Sequence, residues 1–259
     1  KIRLIKTSGL LLLLCHLPSV FAETNNAVAK SAFEVKGLKR AAQIIVDKWG
    51  VPHIYASNED DVFLAQGFNA ARDRLFQIDL WRRRGLGQLS EVFGQAYLEQ
   101  DRAARLFLYR GDMKKEWAAY GKQSQRITQQ FVAGINAYVT YVNQHPEHLP
   151  PEFVALNYRP ARWQAEDVVR IRSHGLTRNL TSEVNRAKMA CAGDVSLDEV
   201  RQRLSPTWQT KLPEGLDPCL PDDVLRQFTL ATQHIFSNVI SNYALATIVH
   251  MNQKTKLKW

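Results

Sequence analysis

The sequence lacks the short motifs by which common catalytic and nucleotide-binding sites are recognised. It contains no GxSxG nucleophile elbow, no HExxH zinc motif, no GxxxxGK[ST] phosphate loop and no glycine-rich dinucleotide loop. It also has no internal repeat and no basic stripe of the kind that accompanies nucleic-acid binding. These absences exclude sites built on those motifs, and we expect no nucleic-acid partner.

Cysteine is scarce, with three residues in a chain of 259. Cys15 lies near the N-terminus, and Cys191 and Cys219 lie in the last third. In an oxidising compartment the last two can pair, and the bond would contribute about 3 kcal/mol on the chain-entropy model. Two buried free thiols are the alternative. No second cysteine stands at metal-ligand spacing, so the pattern does not predict zinc.

Long apolar runs are missing as well. The run at Leu10–Leu14 follows three cations and is far shorter than the roughly 20 residues that span a bilayer. Val20-Phe21-Ala22 places small residues three and one positions before Glu23, which is typical of a cleavage site. Residues 1–22 are therefore predicted to be a signal peptide outside the fold. Its removal lowers the net charge from +9 to +6 and leaves a periplasmic or secreted protein without membrane association.

The strongest pattern in the chain is a strand, a turn and a second strand over 43–56. The branched residues of Ile44–Val46 favour a pleated strand, and Gly50 supplies the turn. Pro52 predicts that the second strand is an edge strand. His53 is expected to pack or hydrogen-bond within that strand rather than to take part in catalysis.

A long amphipathic helix is predicted next, from about Glu59 to Arg83. Ser57 is expected to cap it, with Asp60 three residues later. The many charges of this helix fit either a solvated face or a partly buried ion network. Apolar residues recur at helical spacing and predict one buried face, formed by Leu64, Phe68, Ala71, Leu75 and Ile78.

Further helices are predicted over 97–120, 122–144, 165–190 and 222–233, with a kink or break at Gly175. Four prolines within 205–221 predict a linker over the surface. The fold class that follows is mainly α with a few β-strands.

The strand pair and the first helix carry a specific resemblance. Together with a second block around Trp163, they resemble the penicillin acylase family, which includes penicillin and acyl-homoserine lactone acylases. The matching residues are Asp47, Gly50-Val51-Pro52-His53-Ile54, Ala65-Gln66-Gly67, Ala71 to Asp79, Arg82-Arg83, Gly87, Leu89, Glu91, Gly94, Leu149 to Phe153, Tyr158-Arg159-Pro160 and Trp163 to Val168.

The resemblance implies the α-chain portion of an αββα N-terminal nucleophile hydrolase. In such enzymes an exported zymogen cuts itself into an α and a β chain, and the new N-terminal serine of the β chain is the nucleophile. The implied organisation is a signal peptide (1–22), an N-terminal extension (23–42), an α-chain domain (43–233) and an atypical tail (234–259). Truncation or a frameshift near residue 234 is the expected cause of the tail, although Ser237 and Ser241 share a Ser-Asn dipeptide with the family's junction.

The resemblance also implies three site residues on the helix after Trp163. Glu183 matches a family glutamate that helps to hold a structural calcium shared with the β chain; the alternative is a surface glutamate paired with Arg186 or Lys188. Arg178 and Asn179 match the part that lines the acyl pocket, and Asn179 replaces an aromatic residue there. No catalytic residue is assigned to this chain.

The implied activity is hydrolysis of the amide bond of acyl amides, either penicillin-type or N-acyl-homoserine lactone substrates. The resemblance also implies the family's roles in antibiotic metabolism and quorum quenching. The partners are then the β chain of the same precursor and a small acyl-amide substrate, and this chain alone is expected to be inactive. The alternative is a catalytically inactive exported remnant that acts as a binding or scaffold protein.

Overall fold

The structure is a computed structural model of the chain, and it describes residues 2–6, 29–172, 179–193, 195–201, 205–206 and 211–233. In this part the chain is mainly helical with one small sheet, as the sequence predicts. It divides into two compact units: unit 1 comprises residues 1–81 and 110–168, and unit 2 comprises residues 82–109 and 169–259. None of the described helices has the length and apolar character needed to cross a membrane.

The sheet belongs to unit 1 and has the order β2-β1-β3-β4. Strand β1 pairs antiparallel with β2 and parallel with β3, while β3 and β4 form the predicted strand pair. Strand β4 is an edge strand that begins at Pro52, as predicted. The strands are β1 (Ile2–Lys6), β2 (Ala29–Phe33), β3 (Ala42–Val46) and β4 (Pro52–Tyr55).

Strand β1 consists of residues that the sequence assigns to the signal peptide. Their backbone pairs over five residues with β2 on one side and with β3 on the other. Residues 2–6 are therefore part of the sheet, and the assignment of residues 1–22 to a signal peptide stays a prediction. Ile2, Leu4 and Ile5 belong to the residue types that suit a pleated strand.

Helices make up most of both units. Two single turns of 3₁₀ helix lie at Gln95–Tyr97 and Pro146–His148. The α-helices are α1 (Glu59–Leu86), α2 (Ser90–Phe93), α3 (Leu98–Leu106), α4 (Met113–Ala119), α5 (Ser124–Gln144), α6 (Pro151–Ala155), α7 (Ala165–Ile171), α8 (Leu180–Cys191), α9 (Ser196–Arg201) and α10 (Arg226–Thr232).

Several predicted boundaries need correction. The single helix predicted over 97–120 is two helices, α3 and α4, because the chain leaves the helical conformation at Phe107 and Asp112 caps α4 with hydrogen bonds from two backbone amides. The helix predicted over 165–190 ends at Ile171 and a new helix begins at Leu180. Gly175 lies outside the described residues. Helix α10 is shorter than the predicted span of 222–233.

Helix α1 has the buried face that its spacing predicts. Leu64, Phe68, Ala71 and Leu75 are each at most 2% exposed. Ile78, the fifth predicted position, is half-buried. The helix is longer than predicted and is kinked at Arg74, where the backbone leaves the helical conformation.

The N-terminus of α1 is capped by Asn58, not by Ser57. The Asn58 side-chain oxygen accepts from the Asp61 amide at 3.0 Å, and its Nδ2 donates to Asp61 Oδ2 at 2.6 Å. Asp61 is fully buried and also accepts from the backbone amides of Lys39 and Arg40, at 2.8 and 3.0 Å. The capping pair is therefore one residue later than predicted, because the aspartate must also reach the segment that leads into β3.

The charged residues of α1 include some on a solvated face and some that are buried, which are the two arrangements that the sequence left open. Arg72 pairs with Asp73 at 2.7 Å where both can reach solvent. Asp79 is only 1% exposed and accepts from the backbone amide of Ala161 at 3.0 Å, which ties α1 to the segment before α7 within unit 1. The helix thus carries contacts of both kinds.

Helices α1 and α5 approach each other closely at two glycines. A Cβ atom added at Gly67 would lie 1.9 Å from the backbone oxygen of Phe131, and one added at Gly134 would lie 2.0 Å from the backbone oxygen of Leu64. Side chains interleave on either side of this contact, where Phe68 meets Tyr138 edge to face with ring centroids 5.4 Å apart. The absence of a side chain at both positions therefore sets the distance between the two longest helices of unit 1.

Unit 2 is organised around a buried aspartate on α3. Asp101 is 2% exposed and accepts from the backbone amides of Leu89 and Ser90, both at 2.8 Å, and from the Ser90 hydroxyl at 2.6 Å. Gly87 has a positive φ of 66° and lies so close to Asp101 that a Cβ would be 2.5 Å from its backbone oxygen. Arg105 donates to the Gly87 carbonyl at 2.8 Å. These contacts fix the turn between α1 and α2.

The C-terminal part of unit 2 is cross-linked by a disulfide. Cys191, the last residue of α8, is bonded to Cys219, which resolves the alternative between paired and free thiols. The bond ties α8 to the extended segment that precedes α10. That helix in turn packs on α3, where Phe107 and Phe228 are in ring contact and Gln100 donates to the backbone oxygen of Gln233 at 3.2 Å.

The α1–α5 contact yields a stability prediction. Replacing Gly134 with alanine adds a methyl group at a position with no room, so the helices must separate. We expect G134A to lower the free energy of unfolding by about 1–3 kcal/mol or more, although alanine in an open helical position would raise it. The measurement is urea unfolding followed by circular dichroism. Gly121→Ala is the control, because its Cβ would have ordinary contact at 3.4 Å; equal stability of the two variants would contradict the account.

Candidate functional site

The first turn of α8 carries the described part of the predicted site. Asn179 precedes the helix, its backbone oxygen accepts from the Glu183 amide at 3.0 Å, and its side chain makes no capping hydrogen bond. The side chain of Asn179 is exposed. Arg178 lies outside the described residues. The structure thus brings Asn179 and Glu183 together on one helical turn and leaves the amide side chain accessible from solvent.

Glu183 takes part in an ion pair with Arg186, three residues along the same helix. Its Oε2 accepts from Arg186 Nη1 at 2.6 Å, and the side chain is 52% exposed. Arg186 is one of the two partners that the sequence offered as the alternative to calcium binding. A surface pair of this kind contributes little to stability, so it does not prevent the carboxylate from taking another ligand.

Arg186 is itself held by Asp198, a buried aspartate on α9. Arg186 Nε donates to Asp198 Oδ2 at 2.7 Å, and Arg201 Nε donates to Asp198 Oδ1 at 2.8 Å. Asp198 is 2% exposed. Burial raises the pKa of Asp198, but the hydrogen bonds from Arg186 and Arg201 lower the pKa by more, so it lies below its ordinary value. Two arginines and one buried carboxylate thus join α8 to α9.

The donor type of Glu183 fits a calcium ion, whereas the number of donors does not. Calcium takes six to eight oxygens. Over the residues that the structure describes, no three His, Cys, Asp or Glu side chains are grouped so as to hold a metal ion. Glu183 is therefore a single carboxylate among the described residues, which do not complete a calcium site by themselves.

His53 lies in strand β4, as the sequence predicts, and its ring contacts the turn that joins β3 and β4. Its Nε2 is 3.1 Å from Asp47 Oδ2, and Asp47 Oδ1 accepts from the amides of Trp49 and Val51, both at 2.9 Å. The hydrogen bond with His53 lowers the pKa of Asp47. These contacts close the β3–β4 turn, and they confirm the prediction that His53 hydrogen-bonds locally.

Unit 1 contains an open groove of about 610 Å³ along α5. The Thr140 hydroxyl in its wall donates to the Asn136 carbonyl at 2.9 Å and accepts from Arg162 at 2.8 Å. Both roles of this hydroxyl are therefore taken by structural partners.

Comparison with known proteins places these features in a family. The model of the penicillin amidase family matches residues 41–244. This chain belongs to the penicillin amidase family. The match includes residues 234–244, the first part of the segment that the sequence analysis treated as an atypical tail.

Two individual proteins to which the chain is similar are named as acylases. The chain is 34% identical over 130 residues to the penicillin G acylase of Escherichia coli, which covers 50% of this chain and 15% of that protein. It is 30% identical over 177 residues to the acyl-homoserine lactone acylase QuiP of Pseudomonas aeruginosa, which covers 67% of this chain and 20% of that protein. The chain thus spans only about a fifth or less of these two relatives.

A solved structure matches more completely. The thermostable penicillin G acylase from Alcaligenes faecalis aligns with a TM-score of 0.51 and 25% identity, over 68% of this chain and 98% of that solved chain. This chain covers nearly all of that solved chain but only 15% of the full-length Escherichia coli protein. The aligned part of this chain therefore matches nearly the whole of one solved chain of that acylase.

Sequence reasoning missed Asp198 and Arg201, the two residues that fix the position of Arg186. They follow α8 in a short helix without family motif residues, so no pattern signalled them. The available signal was charge alone, since Asp198 and Arg201 are three residues apart, a spacing that suits a helical ion pair.

The lowered pKa of Asp198 predicts a pH-dependent contact. Because the folded pKa lies below the unfolded value, the charged pair stabilises unit 2 above a pH of about 4 and is lost as the pH falls through the folded pKa. We expect Asp198→Asn to destabilise the α8–α9 pair near neutral pH and to remove part of the loss of stability on acidification. Thermal unfolding between pH 3 and 7 measures both effects. Asp217→Asn on the exposed segment is the control; an identical pH profile in wild type and D198N would contradict the assignment.

Proposed function

We propose that this chain is the α-chain portion of an amidohydrolase that cleaves the amide bond of acyl amides together with a β chain from the same precursor. The observation that carries the proposal is the near-complete coverage, 98%, of one solved penicillin G acylase chain. The family match over 41–244 supports the same reaction class. A chain that corresponds to one part of an enzyme is expected to need the other part.

In this proposal the two chains have different tasks. The N-terminal serine of the β chain attacks the amide carbonyl, and its own α-amino group accepts the proton. An α-amino group titrates at about 7.7–8.0, which suits a base near neutral pH. The amine leaves, and water then releases the acid from the acyl-enzyme. The described residues of this chain supply a rigid support, in which the buried carboxylates of Asp61, Asp79 and Asp101 bind backbone amides.

The acyl side of the substrate is expected to meet the start of α8. Asn179 presents an exposed amide that no capping contact occupies, next to Arg178 in sequence. An amide in place of an aromatic residue gives a less apolar wall for a phenylacetyl group. The relatives that are acyl-homoserine lactone acylases support fatty-acyl amides, so N-acyl-homoserine lactones are proposed ahead of penicillin-type substrates.

Calcium is proposed as a structural ion at the boundary with the β chain. Glu183 would offer one carboxylate oxygen, and the β chain would supply the others. The bound ion would supply positive charge that holds the two chains together. Arg186 and Asp198 keep Glu183 in position, since Arg186 is fixed by Asp198 while it pairs with Glu183.

Export to the periplasm or secretion completes the proposal. The leader of residues 1–22 would be removed before Glu23. The Cys191–Cys219 disulfide supports an oxidising destination, because such bonds persist outside the cytosol.

Co-expression tests the proposed function. This chain is produced together with the β region of the Escherichia coli penicillin G acylase, and the purified complex is incubated with N-acyl-homoserine lactones of several chain lengths and with penicillin G. Release of free amine is measured. We expect hydrolysis by the complex and no release above background by either part alone, because the nucleophile and the support lie on different chains.

A complex whose β region carries alanine at its N-terminal serine is the control for background hydrolysis. A folded complex that binds these substrates without hydrolysing them would contradict the enzymatic proposal and favour a non-catalytic binding protein.

A further inference from the structure

The Glu183 carboxylate already has a cation bound to it within this chain. Arg186 Nη1, one turn along α8, donates to Glu183 Oε2 at 2.6 Å. A calcium ion lies about 2.3–2.6 Å from its ligand oxygens, so on Oε2 it would need the space that the guanidinium occupies. On the other carboxylate oxygen it would lie beside the same positive charge. Arg186 and a divalent cation therefore compete for Glu183.

Arg186 has a second anchor that does not involve Glu183. Its Nε donates to Asp198 Oδ2 at 2.7 Å, and the side chains of Arg186 and Asp198 are 12% and 2% exposed. The pair with Glu183 is open to water by comparison, since Glu183 is 52% exposed. Solvent weakens the exposed pair far more than the buried one. Arg186 can therefore leave Glu183 and stay bound to Asp198.

The first turn of α8 is held by a different arginine. Arg201 Nε donates to Asp198 Oδ1 at 2.8 Å, and Arg201 Nη2 donates to the backbone oxygen of Ser182 at 3.3 Å. Ser182 directly precedes Glu183, so this contact ties the backbone next to Glu183 to α9. The position of that backbone does not depend on the pair between Glu183 and Arg186.

The four charged side chains of this cluster balance one another. Glu183 and Asp198 contribute two negative charges, and Arg186 and Arg201 contribute two positive charges. The separate chain thus needs no metal ion to neutralise Glu183. A calcium ion would add two positive charges next to an arginine that Asp198 keeps nearby. Its binding becomes favourable only when further oxygen ligands join Glu183.

We propose that Arg186 is an internal counter-ion that occupies Glu183 in the separate chain and gives it up when calcium binds in the assembled complex. This inference rests on the proposed function for the calcium site. It assigns to Arg186 the role of setting the calcium affinity. It also makes uptake of the ion depend on assembly, because the oxygens that outweigh the guanidinium come from the β chain.

Thermal unfolding of the separate chain tests whether Arg186 can leave Glu183 at low cost. Glu183→Gln removes only the exposed charge pair, so we expect Tm to fall by at most about 2–4 °C. Asp198→Asn leaves Arg186 and Arg201 without their buried carboxylate, and we expect at least about twice that fall. If Glu183→Gln destabilises the chain as much as Asp198→Asn does, Arg186 is not an exchangeable counter-ion and the proposal is overturned.

Calcium affinity in the co-expressed complex tests the competition itself. The complex is freed of calcium, and its affinity is measured by competition with a fluorescent calcium chelator. We expect Arg186→Gln to bind calcium about tenfold or more tightly than the unaltered complex, because a positive charge beside the ion is gone. The matched control is Lys188→Gln, which removes an exposed cation farther along α8 and should change the affinity by less than about threefold.

Each result of the calcium measurement has a distinct meaning. Equal affinity of the unaltered complex and Arg186→Gln would overturn the competition. Weaker binding by Arg186→Gln would also overturn it, because Arg186 would then support the ligand carboxylate. Absence of calcium from every variant would overturn both this inference and the proposed calcium site. Amide hydrolysis is measured separately by amine release, so a failure of the proposed activity is distinguishable from all three.

Discussion

The close approach of α1 and α5 is the constraint on which unit 1 depends. Gly67 and Gly134 let each helix contact the backbone of the other, and the two helices together support the sheet. Phe68 illustrates the coupling, since it contacts Phe33 of β2 on one side and Tyr138 of α5 on the other. A change in the helix spacing would therefore move the strands as well as the helices.

The residues of the family signature serve this framework rather than the reaction. Asp47 closes the β3–β4 turn, Asp79 holds the backbone at Ala161, and Arg83 pairs with Glu91 at 2.9 Å in unit 2. Each acts on backbone groups or on a neighbouring charge. A family block that is built of structural contacts is consistent with a chain that supports chemistry located elsewhere.

The sequence predicted the features that depend on local pattern. The apolar spacing of α1 and the strand–turn–strand at Gly50 were confirmed because periodicity and turn chemistry report directly on backbone conformation. Contacts between distant segments were not predictable. Asp101 accepts hydrogen bonds from backbone amides 11 and 12 residues away, and Asp198 accepts one from an arginine 12 residues away. No local sequence pattern encodes either contact.

The only site residues predicted from the sequence were those that the family resemblance implies. That resemblance pointed to Glu183, and the structure adds the chain of contacts from Glu183 through Arg186 to Asp198. Arg178 lies outside the described residues, and its role stays a prediction. Sequence pattern also did not reveal that residues 2–6 pair with β2 and β3, because strand pairing between segments far apart depends on which edges the fold leaves open.

Amide hydrogen exchange tests the central claim that the α1–α5 contact makes unit 1 a preformed support. In the chain alone, the account predicts slow exchange in α1 and α5, and much faster exchange in both helices in Gly134→Ala. Rapid exchange of α1 and α5 in the unaltered chain, or slow exchange that Gly134→Ala leaves unchanged, would contradict the account.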